Sequence, residues 1–313
     1  MKFVSVTRCG NENDIIEAFV RHHVALFDLM LIIDDSSTDG TVQILEALQA
    51  EGLPLILFHV AEVDWNPVDL VTELMRRAFN EYDAQWVAPL DVDEFLELPA
   101  HTGLGDFLPE RSELAAQLRW SNFAWTRGLD ETERNPVIRM RTRMPPRTDS
   151  FKVIIPWNIV QGDPTATVLP GNHAVRAHGR IADLFYRQKM ALCHYPIRSV
   201  QQFASKVVIN ALRHKAMPHG PKDAGFQYRK PLEALKTSPG ILPRGMEQAS
   251  RLYALQAGGK MIGEIEDRPL LYRGGPLLHS RYQTHAISNI ITLAESFAER
   301  VAALEAEIAR LKA

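Results

Sequence analysis

Apolar and polar positions change their spacing in a regular succession along the N-terminal third of the chain. Lys2–Thr7 (KFVSVT) reads as a strand, Asp14–Phe27 (DIIEAFVRHHVALF) places apolar residues at helical spacing, and Leu29–Ile33 (LMLII) is a short buried strand. The pattern repeats. Thr38-Asp39-Gly40 opens a helix from about Thr41 to Leu48, Leu53–Val60 (LPLILFHV) is a strand, Val68–Tyr82 a helix and Gln85–Leu90 a strand. Continuous apolar strands separated by helices predict an α/β fold whose mainly parallel sheet is covered on both faces. Ligands of such sheets bind outside the carboxyl ends of the strands. Three polar loops fall there: Arg8–Asn13 (RCGNEN), Asp34–Gly40 (DDSSTDG) and Asp91–Glu94 (DVDE).

The pattern loosens beyond residue 114. Strand-like pieces at Glu113–Trp120, Phe151–Ile155 and Met190–His194 predict an antiparallel extension, and Ser199–Lys215 reads as a helix. Pro218–Arg244 is rich in Pro and Gly and predicts long loops with a short helix. Near the C-terminus Ile287, Ala294, Val301 and Ile308 hold one heptad position and Ile290, Phe297, Leu304 and Leu311 another. That is the pattern of a coiled coil, or of one amphipathic helix docked on its own domain. The expected division is a domain over 1–215, a loop-rich helical extension over 216–280 and a C-terminal amphipathic helix over 281–313.

Composition narrows the classes. The 313 residues are 46% hydrophobic, enough for a large core, and 35 Lys+Arg against 38 Asp+Glu give no global bias toward nucleic acid or anionic lipid. Cys9 and Cys193 stand far apart without metal-ligand spacing, so neither a disulfide framework nor a zinc site is expected. The N-terminus turns polar too early for a signal peptide, and no apolar run approaches the length of a membrane span. A cytoplasmic protein is expected, with peripheral contact at the inner membrane face compatible with that reading.

The stretch Ala88–Leu96 (APLDVDEFL) sets three acids within four residues behind an apolar strand. If the chain is still extended there, Asp91 and Asp93 project to one side and offer half of an octahedral oxygen site for magnesium or manganese. The alternative is a solvated turn. In IIDDSSTDGT, Ser, Thr and Asp serve a helix cap and turn. Asp34 and Asp35 also stand at the strand end, where a carboxylate accepts from a uracil imide or a ribose hydroxyl.

IIDDSSTDGT followed about fifty residues later by WVAPLDVDEFL resembles the family 2 glycosyltransferases of the GT-A fold, which take sugars from nucleoside diphosphates. The match is closer to a bacterial subgroup related to family 92, with an R-N-E-like loop, D-x-D-E-F and a late H-Y motif. These appear here as RCGNEN, DVDEF and CHYPIRSVQQFASK, so the resemblance covers roughly 1–215. It implies that Thr7 and Arg8 lie against the nucleobase, that Asp35 bonds it, and that Asp91 contacts ribose or sugar hydroxyls. Asp93 would bind the metal and His194 would be a further ligand, a nitrogen donor that favours Mn2+ over Mg2+. Lys152, in FKVIIP, and Lys206 would contact donor phosphates. LRWSNFAWTRG stands where the subgroup has W-x-x-F-G, although Ala124 replaces the glycine. There Trp120 and Asn122 would meet the sugar, with His173 beside them. Asp130 and Glu131 are the candidates for the base that deprotonates an acceptor hydroxyl.

The implied function is metal-dependent transfer of a sugar from a nucleoside-diphosphate donor to a saccharide or glycolipid acceptor in surface polysaccharide synthesis. A homo-oligomer through the C-terminal helix is compatible with it. Competing readings are a D-x-D magnesium phosphatase, which would normally have Thr or Val where Phe95 stands, and an inactive nucleotide- or carbohydrate-binding protein of the same fold. A nucleotidyltransferase would need a richer glycine loop than Arg8-Cys9-Gly10.

Overall fold

A computed structural model describes residues 1–60, 67–130, 132–146, 151–216, 226–237, 245–251 and 264–280, with scattered positions between 290 and 310. The described residues form two compact units, Met1–Pro196 with Glu247–Tyr282, and Ile197–Met246 with Gln283–Ala313.

The first unit opens with β1 (Phe3–Cys9), α1 (Ile16–His23), β2 (Leu29–Asp35), α2 (Thr41–Ala50), β3 (Leu55–Val60), α3 (Pro67–Asn80) and β4 (Trp86–Pro89), as the hydrophobic pattern predicts. β1 pairs in parallel with both β2 and β4, and β2 with β3. Side-chain alternation explains the two layers. Phe3, Met30, Ile32, Trp86 and Ala88 pack with Ile16, Phe19, Ile44 and Leu48 of α1 and α2. Val4, Val6, Leu31, Ile33 and Val87 pack with Leu70, Leu74, Met75 and Phe79 of α3.

The extension expected to be antiparallel is present but mixed, because its strand Leu184–His194 pairs in parallel with Ala115–Ala124. β5 (Glu94–Glu97), β6 (Ala115–Ala124), α4 (Pro136–Arg139), β7 (Thr142–Arg143), β8 (Phe151–Pro156) and α5 (Trp157–Val160) lead to β9 (Thr167–Val168), β10 (Val175–Ala177), β11 (Arg180–Ile181) and β12 (Leu184–His194). β8 joins β4 to β6 by antiparallel pairing, whereas β12 runs parallel to β6 and antiparallel to β5. β9, β10 and β11 form a separate small sheet.

α6 (Val200–Ala216) and α7 (Phe226–Thr237) belong to the second unit, and α7 is the short helix expected within 218–244. β13 (Glu266–Asp267) pairs with β7 and ties the later segment to the first unit. Of the heptad residues, Ile287 and Leu311 lie outside the described residues, while Val301, Leu304 and Ile308 are exposed. No helix among the described residues is long and apolar enough to cross a membrane.

Candidate functional site

The polar loops meet as the parallel register requires. Cys9 stands opposite Asp34, and Leu90 donates to the Val6 carbonyl at 3.0 Å, so the carboxyl ends of β1, β2 and β4 lie side by side. The first two loops are stitched together: Asn11 N donates to Ser37 Oγ at 2.9 Å, Thr38 N to Asn11 Oδ1 at 2.8 Å and Glu12 N to Thr41 Oγ1 at 2.9 Å. Asn11 and Ser36 adopt positive φ, 59° and 56°, and Gly40 turns the chain into α2 at φ 94°. Asp34 accepts from Ser37 N at 3.0 Å and so holds the turn. Asp35 pairs with Arg8 at the site edge. Thr7 is wholly buried on the face shared with Phe3 and Cys9. Its hydroxyl is enclosed by the core.

The acidic stretch is not extended. Glu94 N donates to the Asp91 carbonyl at 2.9 Å, closing a turn between β4 and β5. Phe95 then returns to the core beside Phe19, His22 and Tyr195. The turn separates the tasks of the acids. Lys152 Nζ on β8 lies 2.7 Å from Asp91 Oδ2 and 2.8 Å from Glu94 Oε1. Asn172 Nδ2 donates to Asp91 Oδ1 at 3.1 Å, and Asp91 N donates to Glu94 Oε2 at 3.1 Å. Lys152, which the resemblance assigns to donor phosphate, pairs here with the protein's own carboxylates.

The electrostatics follow from this geometry. Burial pushes the Glu94 carboxyl up to about 7, against the pull of Lys152. Although desolvation disfavours its charge, Asp91 is held below the usual carboxylate range by Lys152. Burial also disfavours the Lys152 charge, but Asp91 and Glu94 outweigh it and hold the ammonium protonated well above its ordinary value.

Asp93 faces β12. Its carbonyl accepts from Tyr195 N at 2.8 Å, and its Oδ1 lies 3.5 Å from His194 Nε2. His194 Nδ1 lies 2.6 Å from Asn122 Oδ1. With that oxygen accepting, Nδ1 carries the proton and Nε2 turns its lone pair toward the Asp93 carboxylate. Two lone-pair donors held face to face suit a cation between them, and an oxygen with an imidazole nitrogen suits manganese better than magnesium. The residues present fit a divalent metal held by Asp93 and His194, with the remaining positions left to ligand oxygens and water. No group of three or more His, Cys, Asp or Glu that could hold a metal exists among the described residues.

Trp120 and His173 stack at 5.5 Å and 21°, and Lys152 lies 5.9 Å from the Trp120 ring centre. His173 Nδ1 donates to the Phe151 carbonyl at 2.7 Å. Gly171 allows this approach, because at φ 72° a Cβ there would stand 2.6 Å from His173 Nε2. Asn172, the Asp91 partner, escapes a reading of the sequence by chemistry. Its signal is the turn sequence Pro170-Gly171-Asn172, where Asn tolerates φ 59°.

Asp130 accepts from Thr132 N at 2.9 Å and Thr132 Oγ1 at 2.6 Å in an exposed turn, and these hydrogen bonds hold its carboxyl low. Glu131 lies outside the described residues. Lys206 is half-buried on α6 in the second unit, where its carbonyl accepts from Asn210 Nδ2 at 2.8 Å.

None of the curated proteins matches the sequence. Among solved structures, S. aureus TarS 1-349 is 15% identical, with 82% of this chain and 79% of that chain covered at a TM-score of 0.41. The mannosyltransferase PcManGT from Pyrobaculum calidifontis, in complex with GDP-Man and Mn2+, is 17% identical over 83% of this chain and 76% of that one, with a TM-score of 0.37. The fold is mixed α/β, and residues 6–104, which carry both the Asp35 loop and the Asp91–Glu94 turn, match the family model described as Glycosyl transferase family 2.

Proposed function

We propose that the protein is a metal-dependent glycosyltransferase that moves a sugar from a nucleoside-diphosphate donor to a saccharide or glycolipid acceptor, in bacterial surface polysaccharide synthesis. The observation that carries this reading is the Asp93–His194 pair: Asp93 follows β4 within the segment matching family 2, and His194, its imidazole fixed by Asn122, meets it from β12. Arg8 and Asp35 grip the base or ribose. Asp91, its carboxylate oriented by Lys152 and Asn172, accepts from donor hydroxyls. The stacked Trp120 and His173 rings offer an apolar face to sugar C–H groups, and Asn122 stands next to them on β6. Asp93 and His194 would hold the metal, which when bound neutralises charge on the departing diphosphate. Asp130 is kept as the carboxylate that takes the acceptor proton, and a homo-oligomer through the C-terminal helix belongs to the same reading.

The test is thermal unfolding with UDP or GDP, with and without manganese, together with donor hydrolysis across a panel of nucleotide-sugars. Ligand at a hundredfold over Kd stabilises by about 2.7 kcal/mol, which raises the midpoint by several degrees. Asp93→Asn and His194→Gln are expected to abolish the manganese-dependent part of the shift. A midpoint indifferent to both nucleotides, and unchanged by Asp93→Asn, would overturn the proposal.

A further inference from the structure

The β5–β12–β6 sheet has two faces, and the candidate site uses only one. Register aligns Glu94, His194 and Asn122 across the three strands, and Leu96, Leu192 and Trp120 in the next row on the same face. Glu97, Ala191, Arg119 and Ser121 alternate to the opposite face. There they line a cavity of about 700 Å3, a size suited to a small ligand.

Charge inside the cavity is unequally distributed. Glu97 accepts from Arg143 at 2.7 Å and from Arg268 at 3.3 Å, so its carboxylate is already shared by two guanidinium groups. Arg119 places its guanidinium 4.4 Å from the Tyr186 ring centre, with no carboxylate paired to it among the described residues. Its Nε is buried and has no hydrogen-bond partner among them. Lys189 adds a second cation at the exposed edge, while the acids Glu264 and Glu266 stand exposed on the rim. A buried guanidinium N–H without an acceptor calls for one from outside the chain. A guanidinium stacked on an aromatic ring is preorganised for a carboxylate or phosphate.

We propose that this cavity binds a small anion of monosaccharide size, with a carboxylate or phosphate that accepts from Arg119 and Lys189. Pro99, Met144 and Leu271 supply apolar surface for the rest of the molecule. The occupant is separate from the donor, because Arg119 points away from the face that carries Asn122 and His194. The site stands independently of the proposed transfer reaction, so its test reads binding alone.

Isothermal titration of the full chain with glucuronate, glucose 6-phosphate and neutral glucose provides that test. Saturable binding of either anion but not of glucose is expected, and the preferred anion distinguishes carboxylate from phosphate. Arg119→Gln should weaken binding roughly tenfold and Lys189→Ala by less, while Asp93→Asn leaves it unchanged. Lys189→Ala carries the test should Arg119→Gln fold poorly, since Lys189 is exposed. The proposal is overturned by no saturable heat up to about 10 mM, by equal binding of glucose, or by binding that survives both cavity substitutions. It is equally overturned by binding that disappears in Asp93→Asn, which would place the anion at the other site.

Discussion

Three acids persist within four residues at the end of β4 because a buried lysine from β8 neutralises two of them. Lys152 holds Asp91 at 2.7 Å and Glu94 at 2.8 Å, leaving Asp93 to face His194. Removing one partner of a buried pair is normally expensive because the other charge is stranded. Glu94, already at about 7, can instead take up a proton. Lys152→Met is therefore expected to cost about 1–3 kcal/mol in denaturant unfolding, below the penalty for a pair that cannot neutralise. The same variant should weaken nucleotide-sugar binding by roughly tenfold or more, as Asp91 loses the group that orients it. Unchanged donor affinity would remove Asp91 from the binding machinery.

At the scale of elements, β5 depends on two buried histidines. One edge pairs with β12; at the other, the Leu96 carbonyl accepts from His22 Nε2 at 2.8 Å and Leu96 N donates to His23 Nε2 at 3.1 Å. Arg273 N donates to His22 Nδ1 at 3.1 Å, and His23 Nδ1 donates to the Phe19 carbonyl at 2.9 Å, so both tautomers are fixed in the neutral state. Burial lowers the His22 pKa to about 4 and holds that of His23 well below the ordinary imidazole value. A histidine depressed on folding contributes stability that is complete above its unfolded value and is lost as the unfolded chain binds the proton. The loss is expected as pH falls from about 6.5 toward 4, worth about 3 kcal/mol for His22. Glu94, raised on folding, acts with the opposite sign over much of this range. The difference between wild type and His22→Gln isolates the histidine: the amide keeps a donor and an acceptor and should flatten the acid limb of the unfolding curve.

At the scale of the molecule, one carboxylate closes the first unit on itself. Glu17, fully buried on α1, accepts from Leu278 N at 2.7 Å and His279 N at 2.8 Å, and pairs with Arg21 at 2.8 Å. Burial opposes its charge, but these donors outweigh burial and lower the carboxyl pKa. Glu17→Gln should cost about 2–4 kcal/mol in denaturant unfolding and release 278–280, seen as lost amide-exchange protection there. Exchange unaltered at those amides would show that the segment is held by other contacts. The exposed Val301, Leu304 and Ile308 carry the remaining expectation. Sedimentation equilibrium should find an oligomer that Leu304→Asp dissociates.

Much of the chemistry was legible before the fold. Hydrophobic periodicity determined the alternating strands and helices from β1 to β4, since burial on both sheet faces demands continuous apolar strands, and it put Asp35, Asp91 and Asp93 at their carboxyl ends. The late H-Y motif singled out His194. Only tertiary structure decided how these residues divide the work. Lys152 and Asp91 are 61 positions apart, Asn172 and Asp91 81, and His194 and Asn122 72. Such meetings depend on strand register between β4, β6, β8 and β12, which no local pattern encodes. The turn at Asp91–Glu94 likewise replaced the extended geometry that spacing suggested, because Phe95 gains more by returning to the core than the chain does by continuing β4. Sequence named the charged groups; register and burial decided which of them neutralise one another and which face a ligand.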